Sequence, residues 1–214
     1  MTLIVLDAFT EEAMIADRRA KGLDRFDEVW DGVYVMSPLP EYYHQEIVGD
    51  LQTCLALVLR LQGLGRVVPG CNVSDRKDDW TKNYRCPDVV VYLNGTTAKF
   101  HGTHWEGGPD FAIEVVSSND RTWDKLEFYA KVQTRELLII DRDPWELTLL
   151  RLVAGKLVEV GRSNSSNGQE LTSRAIPFSF RLVSRNQWPT IEIKHSGDGQ
   201  TWYAPAQGPM NIAK

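Results

Sequence analysis

Cysteine is scarce in this chain: of 214 residues only Cys54, Cys71 and Cys86 carry a thiol, an odd number with no CxxC pair and no metal-ligand spacing. That excludes a disulfide scaffold and leads us to expect free thiols in a reducing cytoplasm. Long apolar runs are also missing. Leu3-Ile4-Val5-Leu6 is cut off by Asp7 and lacks a basic flank, and no later window approaches the roughly 20 apolar residues of a membrane helix. No Ser/Gly/Pro-rich linker or charge block divides the chain, no internal repeat is found, and the one biased stretch is the Ser/Asn/Gly loop at 163–168. A GxxxxGK[ST] phosphate loop, a GxGxxG dinucleotide fingerprint and a GxSxG nucleophile elbow are all lacking. Nucleotide-cofactor chemistry, hydride transfer and serine hydrolase chemistry therefore have no support.

Net positive charge is lacking too. The balance of −5 counts against a large nucleic-acid footprint, which needs clustered Lys and Arg to release counterions. Locally the picture differs. Arg60, Arg66, Arg76, Lys77, Lys82 and Arg85 face only Asp75, Asp78 and Asp79 over the same stretch, a candidate phosphate-binding edge or a solvated loop.

With 43% apolar and 10% aromatic residues, the chain can bury one sizeable core. Its order of elements is α/β. Thr10 can cap a first helix, with Glu11 and Glu12 in the opening turn, that runs out before Gly22. Asp31-Gly32 predicts a tight hairpin between Glu28-Val29-Trp30 and Val33-Tyr34-Val35-Met36. Ile47, Val48, Leu51, Leu55, Val58 and Leu59 then fall on one stripe of a helix over 44–61. Strands are predicted at 66–73, 89–93 and 111–116 and a helix over 122–132, opened by the cap-forming run Ser117-Ser118-Asn119-Asp120. A buried strand at 137–141, a hairpin of 147–153 with 156–160 around Ala154-Gly155, and a strand-rich or loosely ordered tail follow.

Two of these strands carry one acid each at the edge of an apolar run: Cys86-Pro87-Asp88-Val89-Val90-Val91-Tyr92 and Pro109-Asp110-Phe111-Ala112-Ile113-Glu114-Val115-Val116. A carboxylate on a largely apolar sheet needs a donor, a cation or a metal, and two from adjacent strands suit a hard divalent ion such as Mg2+. The alternatives are an Asp88 bonded to Arg85 or backbone, and a Glu114 kept neutral or ion-paired.

The segments Phe9-Thr10-Glu11-Glu12, Glu28-Val29-Trp30-Asp31-Gly32, Met36-Ser37-Pro38 with His44, Arg85-Cys86-Pro87-Asp88, Pro109 to Ser117, Asp124 with Lys125 and Tyr129, and Ile139-Ile140-Asp141 occur in one order. That conjunction resembles the Uma2 family of restriction-endonuclease-like proteins, with the PD-(D/E)XK nuclease core, over residues 9–152. The resemblance implies an α/β (α+β) restriction-endonuclease-like core, a mixed β-sheet flanked by helices, with an N-terminal helix and hairpin. It implies a nuclease domain over 1–180, leaving 181–214 as a C-terminal extension. It also implies DNA phosphodiester hydrolysis with Mg2+ (or Mn2+) held by Asp88 and Glu114, and with the Val115 carbonyl as a natural third oxygen ligand.

The chain departs from the motif at one position: two residues after Glu114, where a lysine belongs, stands Val116. Lys125, in the first turns of the following helix, is the expected substitute, with Lys131 second and a surface pairing of Lys125 with Asp124 or Tyr129 as the alternative. His44 and Glu46 are accessory candidates on the first core helix, against plain readings as a helix-start histidine and a first-turn acid. Glu28 matches a family position without a role. His101 and His104 could suggest zinc, though His-x-x-His alone is weak and a loop bordering the cleft is preferred. Trp123, Trp145, Trp188 and Trp202 are expected to pack. A homodimer is expected from the resemblance and the surplus of apolar residues. A nuclease fold that has lost its chemistry and only binds nucleic acid or a partner is the alternative function, and a self-associating structural module the third.

Overall fold

The computed structural model describes residues 8–117 and 121–207. The run Leu3-Ile4-Val5-Leu6 and the cap residues Ser118, Asn119 and Asp120 lie outside the described residues. Helix α1 spans Ala8–Ala20, followed by the short strands β1 (Glu28–Trp30) and β2 (Val33–Val35). Asp31 and Gly32 between them both take positive φ, 47° and 89°, the conformation a two-residue hairpin turn demands. Buried Asp27 fastens α1 to this hairpin. Its carboxylate accepts hydrogen bonds from Arg18 Nε at 2.6 Å, the Tyr34 hydroxyl at 2.7 Å and the Ser37 amide at 2.7 Å.

Helix α2 spans Tyr42–Leu55 and continues as a π-helical turn over Ala56–Arg60. The chain then forms β3 (Gly65–Pro69) and β4 (Val73–Ser74). The single strand expected over 66–73 is thus broken in two. Pro69 has no N–H to continue a ladder, and Gly70 turns at φ 54°. Strands β5 (Tyr84–Arg85) and β6 (Val89–Leu93) flank Cys86-Pro87-Asp88, and β7 (Lys99–Phe100) and β8 (Trp105–Glu106) precede β9 (Phe111–Val115). The expected helix over 122–132 is a 3-10 turn at Thr122–Lys125 leading into a short α3 (Leu126–Lys131). Strands β10 (Glu136–Arg142), β11 (Trp145–Val153) and β12 (Lys156–Asn164) complete the central sheet. The tail forms β13 (Leu171–Thr172), β14 (Phe178–Arg185), β15 (Trp188–His195) and β16 (Thr201–Ala204), so the boundary expected between residues 180 and 181 falls inside β14.

Three sheets result, in the orders β2-β1-β5-β4-β8-β7, β12-β11-β10-β9-β6-β3 and β13-β14-β15-β16. The central one is mixed: β9 and β10 run parallel, while β6 with β9 and β10 with β11 run antiparallel. Alternation along β9 sends Phe111, Ile113 and Val115 into a core shared with α2 and the C-terminal sheet, and Ala112 into a second core with Phe128 and Tyr129 of α3. Gly108 opens β9 because a Cβ there would collide with the Thr134 backbone. Trp145 and Trp202 pack against the first core and Trp188 lies 6.2 Å from the Tyr43 ring, whereas Trp123 is 40% exposed and does not pack as expected. Among the described residues, no helix is long and apolar enough to cross a membrane.

Phe180 joins the third sheet to the central one, stacked on Phe111 at 5.5 Å between ring centroids and fully buried. Phe180→Ala should cost about 3–5 kcal/mol and move one cooperative urea transition, followed by fluorescence and circular dichroism together. A separate early transition with the main one unmoved would show that the third sheet folds alone.

Candidate active site

The site lies where the small sheet meets the central one. Cys86-Pro87-Asp88 links β5 to β6, so the chain passes here from one sheet to the other. In the β6–β9 ladder Val89 stands opposite Ile113 and Val90 opposite Ala112. One further step in that antiparallel register sets Asp88 opposite Glu114, so the two acids occupy facing ends of neighbouring strands.

Asp88 Oδ2 accepts a hydrogen bond from the Val115 amide at 2.7 Å. Its Oδ1 lies 3.3 Å from His44 Nε2, and the same nitrogen is 3.1 Å from the Val115 carbonyl oxygen. An N–H at Nε2 therefore serves both oxygens, and these two oxygens converge on one point. Among the described residues, the buried His44 Nδ1 has no hydrogen-bond partner. Such an atom costs on the order of 1–3 kcal/mol, set against the two oxygens that Nε2 meets. Asp88 keeps 18% of its side chain exposed and is the acid nearest solvent.

Glu114 faces α3, on the side of β9 that carries Ala112. Lys125 Nζ donates to both of its oxygens, at 3.1 and 3.2 Å, and the Tyr129 hydroxyl donates a short hydrogen bond to Oε1. The lysine also lies 3.0 Å from Glu28 Oε1. Glu28 in turn accepts hydrogen bonds from the Cys86 amide at 2.9 Å and from Trp30 Nε1 at 2.6 Å. Glu28, Glu114 and Lys125 are 3%, 3% and 7% exposed. One buried ammonium thus sits between two buried carboxylates.

Aromatic and guanidinium groups wall this triad. The Arg85 guanidinium carbon lies 4.6 Å from the Trp30 ring centre and 4.2 Å from that of Phe128, and that of Arg121 lies 4.6 Å from the Trp30 ring. Burial lowers the pKa of Arg85 and raises that of the Cys86 thiol beside Glu28. Burial also pushes the Glu114 carboxyl up, to about 8; Lys125 opposes that shift, and Asp88 and Glu28 add to it. Glu114 therefore retains a proton that an isolated carboxyl would release.

The structure groups Asp88 with His44 and Val115 and Glu114 with Lys125, on the paired strands β6 and β9 and the elements beside them. Glu46, two residues and roughly 200° of helix turn from His44, makes no hydrogen bond or ion pair with them among the described residues; its carboxyl is raised by burial and by Asp50 one turn on. Asp124 pairs with Arg121, not Lys125, and Lys131 reaches Asp75. Half of the expected basic edge is turned inward: Arg76 binds Asp75, Lys82 binds Asp79, and Arg85 is buried. His101 Nε2 bonds Glu106 at 2.9 Å and His104 Nε2 bonds the Arg76 carbonyl at 3.1 Å. Among the described residues, no group of three or more His, Cys, Asp or Glu side chains is arranged to hold a metal.

Sequence reasoning left the roles of Glu28 and Tyr129 open. Tyr129 stands four residues after Lys125, the spacing that puts two side chains on one helix face. Glu28 could not be linked to the site by spacing, because it comes from a different sheet.

The retained proton has a consequence for stability. The folded protein holds it more tightly than the unfolded chain, so this contribution is fully present below about pH 4.5 and is lost as the pH rises through about 8. Glu114→Gln should flatten that part of the decline, measured by urea unfolding at intervals across this range. An unchanged slope would place the retained proton elsewhere.

The comparisons with known proteins agree with this architecture. The family model described as "Uma2: Putative restriction endonuclease" matches residues 19–186. Among solved structures, the chain is similar in fold to a protein of Anabaena variabilis ATCC 29413 described as "a putative nuclease belonging to DUF820". The TM-score is 0.55 at 15% identity, over 70% of this chain and 82% of that one. No match was found among curated proteins. With most of its length matched and the motif residues gathered at one sheet junction, the chain belongs to the Uma2 family.

Proposed function

We propose that this protein is a metal-dependent DNA endonuclease that hydrolyses phosphodiester bonds, with Mg2+ or Mn2+ held by Asp88, Glu114 and the Val115 carbonyl, and with Lys125 assisting. One observation carries the reading. The motif lysine is replaced by Val116, yet the Lys125 ammonium, delivered from the turn before α3, lies within 3.2 Å of both oxygens of Glu114. A lysine beside the second motif acid is what the chemistry wants, whichever backbone position supplies it.

The donor set fits a hard divalent cation. Two carboxylates and a carbonyl offer only oxygens, the preference of such ions. Asp88 Oδ1 and the Val115 carbonyl both lie beside His44 Nε2, at 3.3 and 3.1 Å. When bound, the cation supplies Lewis acidity toward a phosphate oxygen and a water acidic enough to attack near neutral pH. The residues of the chain do the rest. Asp88 is fixed through Oδ2 by the Val115 amide, and its Oδ1 faces His44. His44 holds Asp88 and the Val115 carbonyl in a common orientation. Lys125 offers ammonium protons to the negative charge that develops on the phosphate, and the apolar wall of Trp30 and Phe128 strengthens that interaction by lowering the local dielectric. The free thiols Cys54, Cys71 and Cys86 suit a reducing cytoplasm, where we place the enzyme.

Supercoiled plasmid incubated with the protein and Mg2+ or Mn2+ should be nicked, with EDTA abolishing the reaction. Asp88→Ala, Glu114→Ala and Lys125→Ala should each slow it by about a hundredfold or more. Nicking that survives in Asp88→Ala would point to a contaminant. DNA retention without cleavage by the parent would favour a binding protein on a nuclease fold, a reading that the double hold of Lys125 and Tyr129 on Glu114 makes specific.

We also propose a homodimer. Leu57, Leu61 and Leu64 are 42%, 73% and 45% exposed around the end of α2, apolar area that a second copy would cover. Light scattering at micromolar concentration should give twice 24.3 kDa; the mass of one chain would rule the dimer out.

A further inference from the structure

Metal binding at Glu114 raises a difficulty of charge. Both oxygens of Glu114 already accept from Lys125, and Oε1 also accepts from Tyr129. If this carboxylate turned toward a cation with no other anion at hand, a buried ammonium would be left unpaired, at a cost of several kcal/mol. Lys125 has a second carboxylate, however. Glu28 Oε1 lies 3.0 Å from Nζ, closer than either oxygen of Glu114.

The two acids are held differently. Glu28 Oε1 accepts from the Cys86 amide at 2.9 Å and Oε2 from Trp30 Nε1 at 2.6 Å. The indole is itself flanked by Arg85 and Arg121, each 4.6 Å from its ring centre. Glu28 is thus fixed at both oxygens by donors outside the lysine. Glu114 Oε2 accepts only from Lys125 among the bonds described. Glu114 also stands opposite Asp88 in the extended ladder register, whereas Glu28 comes from β1 in the other sheet.

We infer that Glu28 is the resident counter-ion of Lys125 and Glu114 the exchangeable one, so that Glu28 acts as a positioning residue, keeping the ammonium paired and in place while Glu114 turns to a divalent cation. This rests on the reading of Asp88 and Glu114 as cation ligands. Glu28 touches neither the cation nor the substrate. It supplies the charge that makes Glu114 available.

The test is a double-mutant cycle read by calorimetric titration of Mn2+ into the full chain, without DNA. Glu28→Gln leaves Glu114 as the one carboxylate paired with Lys125 among the described residues, so Mn2+ affinity should fall by roughly tenfold or more, the usual size for an outer-shell partner. Lys125→Met should remove that dependence: Glu28→Gln/Lys125→Met should bind Mn2+ as well as Lys125→Met alone. Equal losses with and without Lys125 would overturn the inference, by showing Glu28 to be a general structural support or a cation ligand itself. A parent that binds no Mn2+ would overturn the metal site and this inference with it, an outcome distinct from the former. Should Glu28→Gln not fold, carboxylate 13C resonances of the parent give the answer during Mg2+ addition. The Glu114 and Asp88 signals should move and that of Glu28 stay, and a shift of Glu28 as large as that of Glu114 would refute the assignment.

Discussion

One ammonium enclosed between two carboxylates organises this molecule. Lys125 lies 3.0 Å from Glu28 and 3.1 Å from Glu114, and the three side chains come from a strand of the small sheet, a strand of the central sheet and the turn before α3. Buried charges are expensive unless paired, and their pairing is sensitive to geometry. The triad therefore constrains how the two sheets and the α3 segment sit on one another. The Arg85 guanidinium between Trp30 and Phe128 extends the same junction with a further enclosed cation. Here the fold spends stability on polar groups that an apolar core would not need, which is how functional sites commonly differ from the cores around them.

Much of the secondary structure was legible because local signals and tertiary context agreed. Asp31-Gly32 announced a hairpin and the structure has one. The stripe from Ile47 to Leu59 announced the helix that covers the central sheet. Where the reading fell short, the cause was specific. The β14–β15 turn is made by Asn186-Gln187, both with positive φ at 50° and 64°, a conformation usually marked by glycine. The helix after β9 is shortened by its 3-10 turn, and that tightening bears on where Lys125 presents its ammonium.

The candidate site was legible as residue types but not as a network. Asp88 and Glu114 could be named because each interrupts an apolar strand, and Lys125 because the motif lysine is absent at Val116. Glu28 could not be placed, since its contacts run across nearly a hundred residues of chain to Lys125 and 58 to the Cys86 amide. No periodicity spans such intervals. The charge balance was also misleading in part: half of the basic residues ahead of Asp88 are committed to Asp75, Asp79 and the interior.

The small sheet consists of strands of two or three residues, lengths that ordinarily fray. Glu28 on β1 alters that expectation. Peeling β1 away would strip the buried lysine of the Glu28 carboxylate, so the hairpin cannot open locally without disturbing an enclosed ion in the interior. Amide protons of the hairpin should then exchange with solvent only when the whole molecule opens. What looks like peripheral decoration is thereby part of the same cooperative unit as the deepest strands.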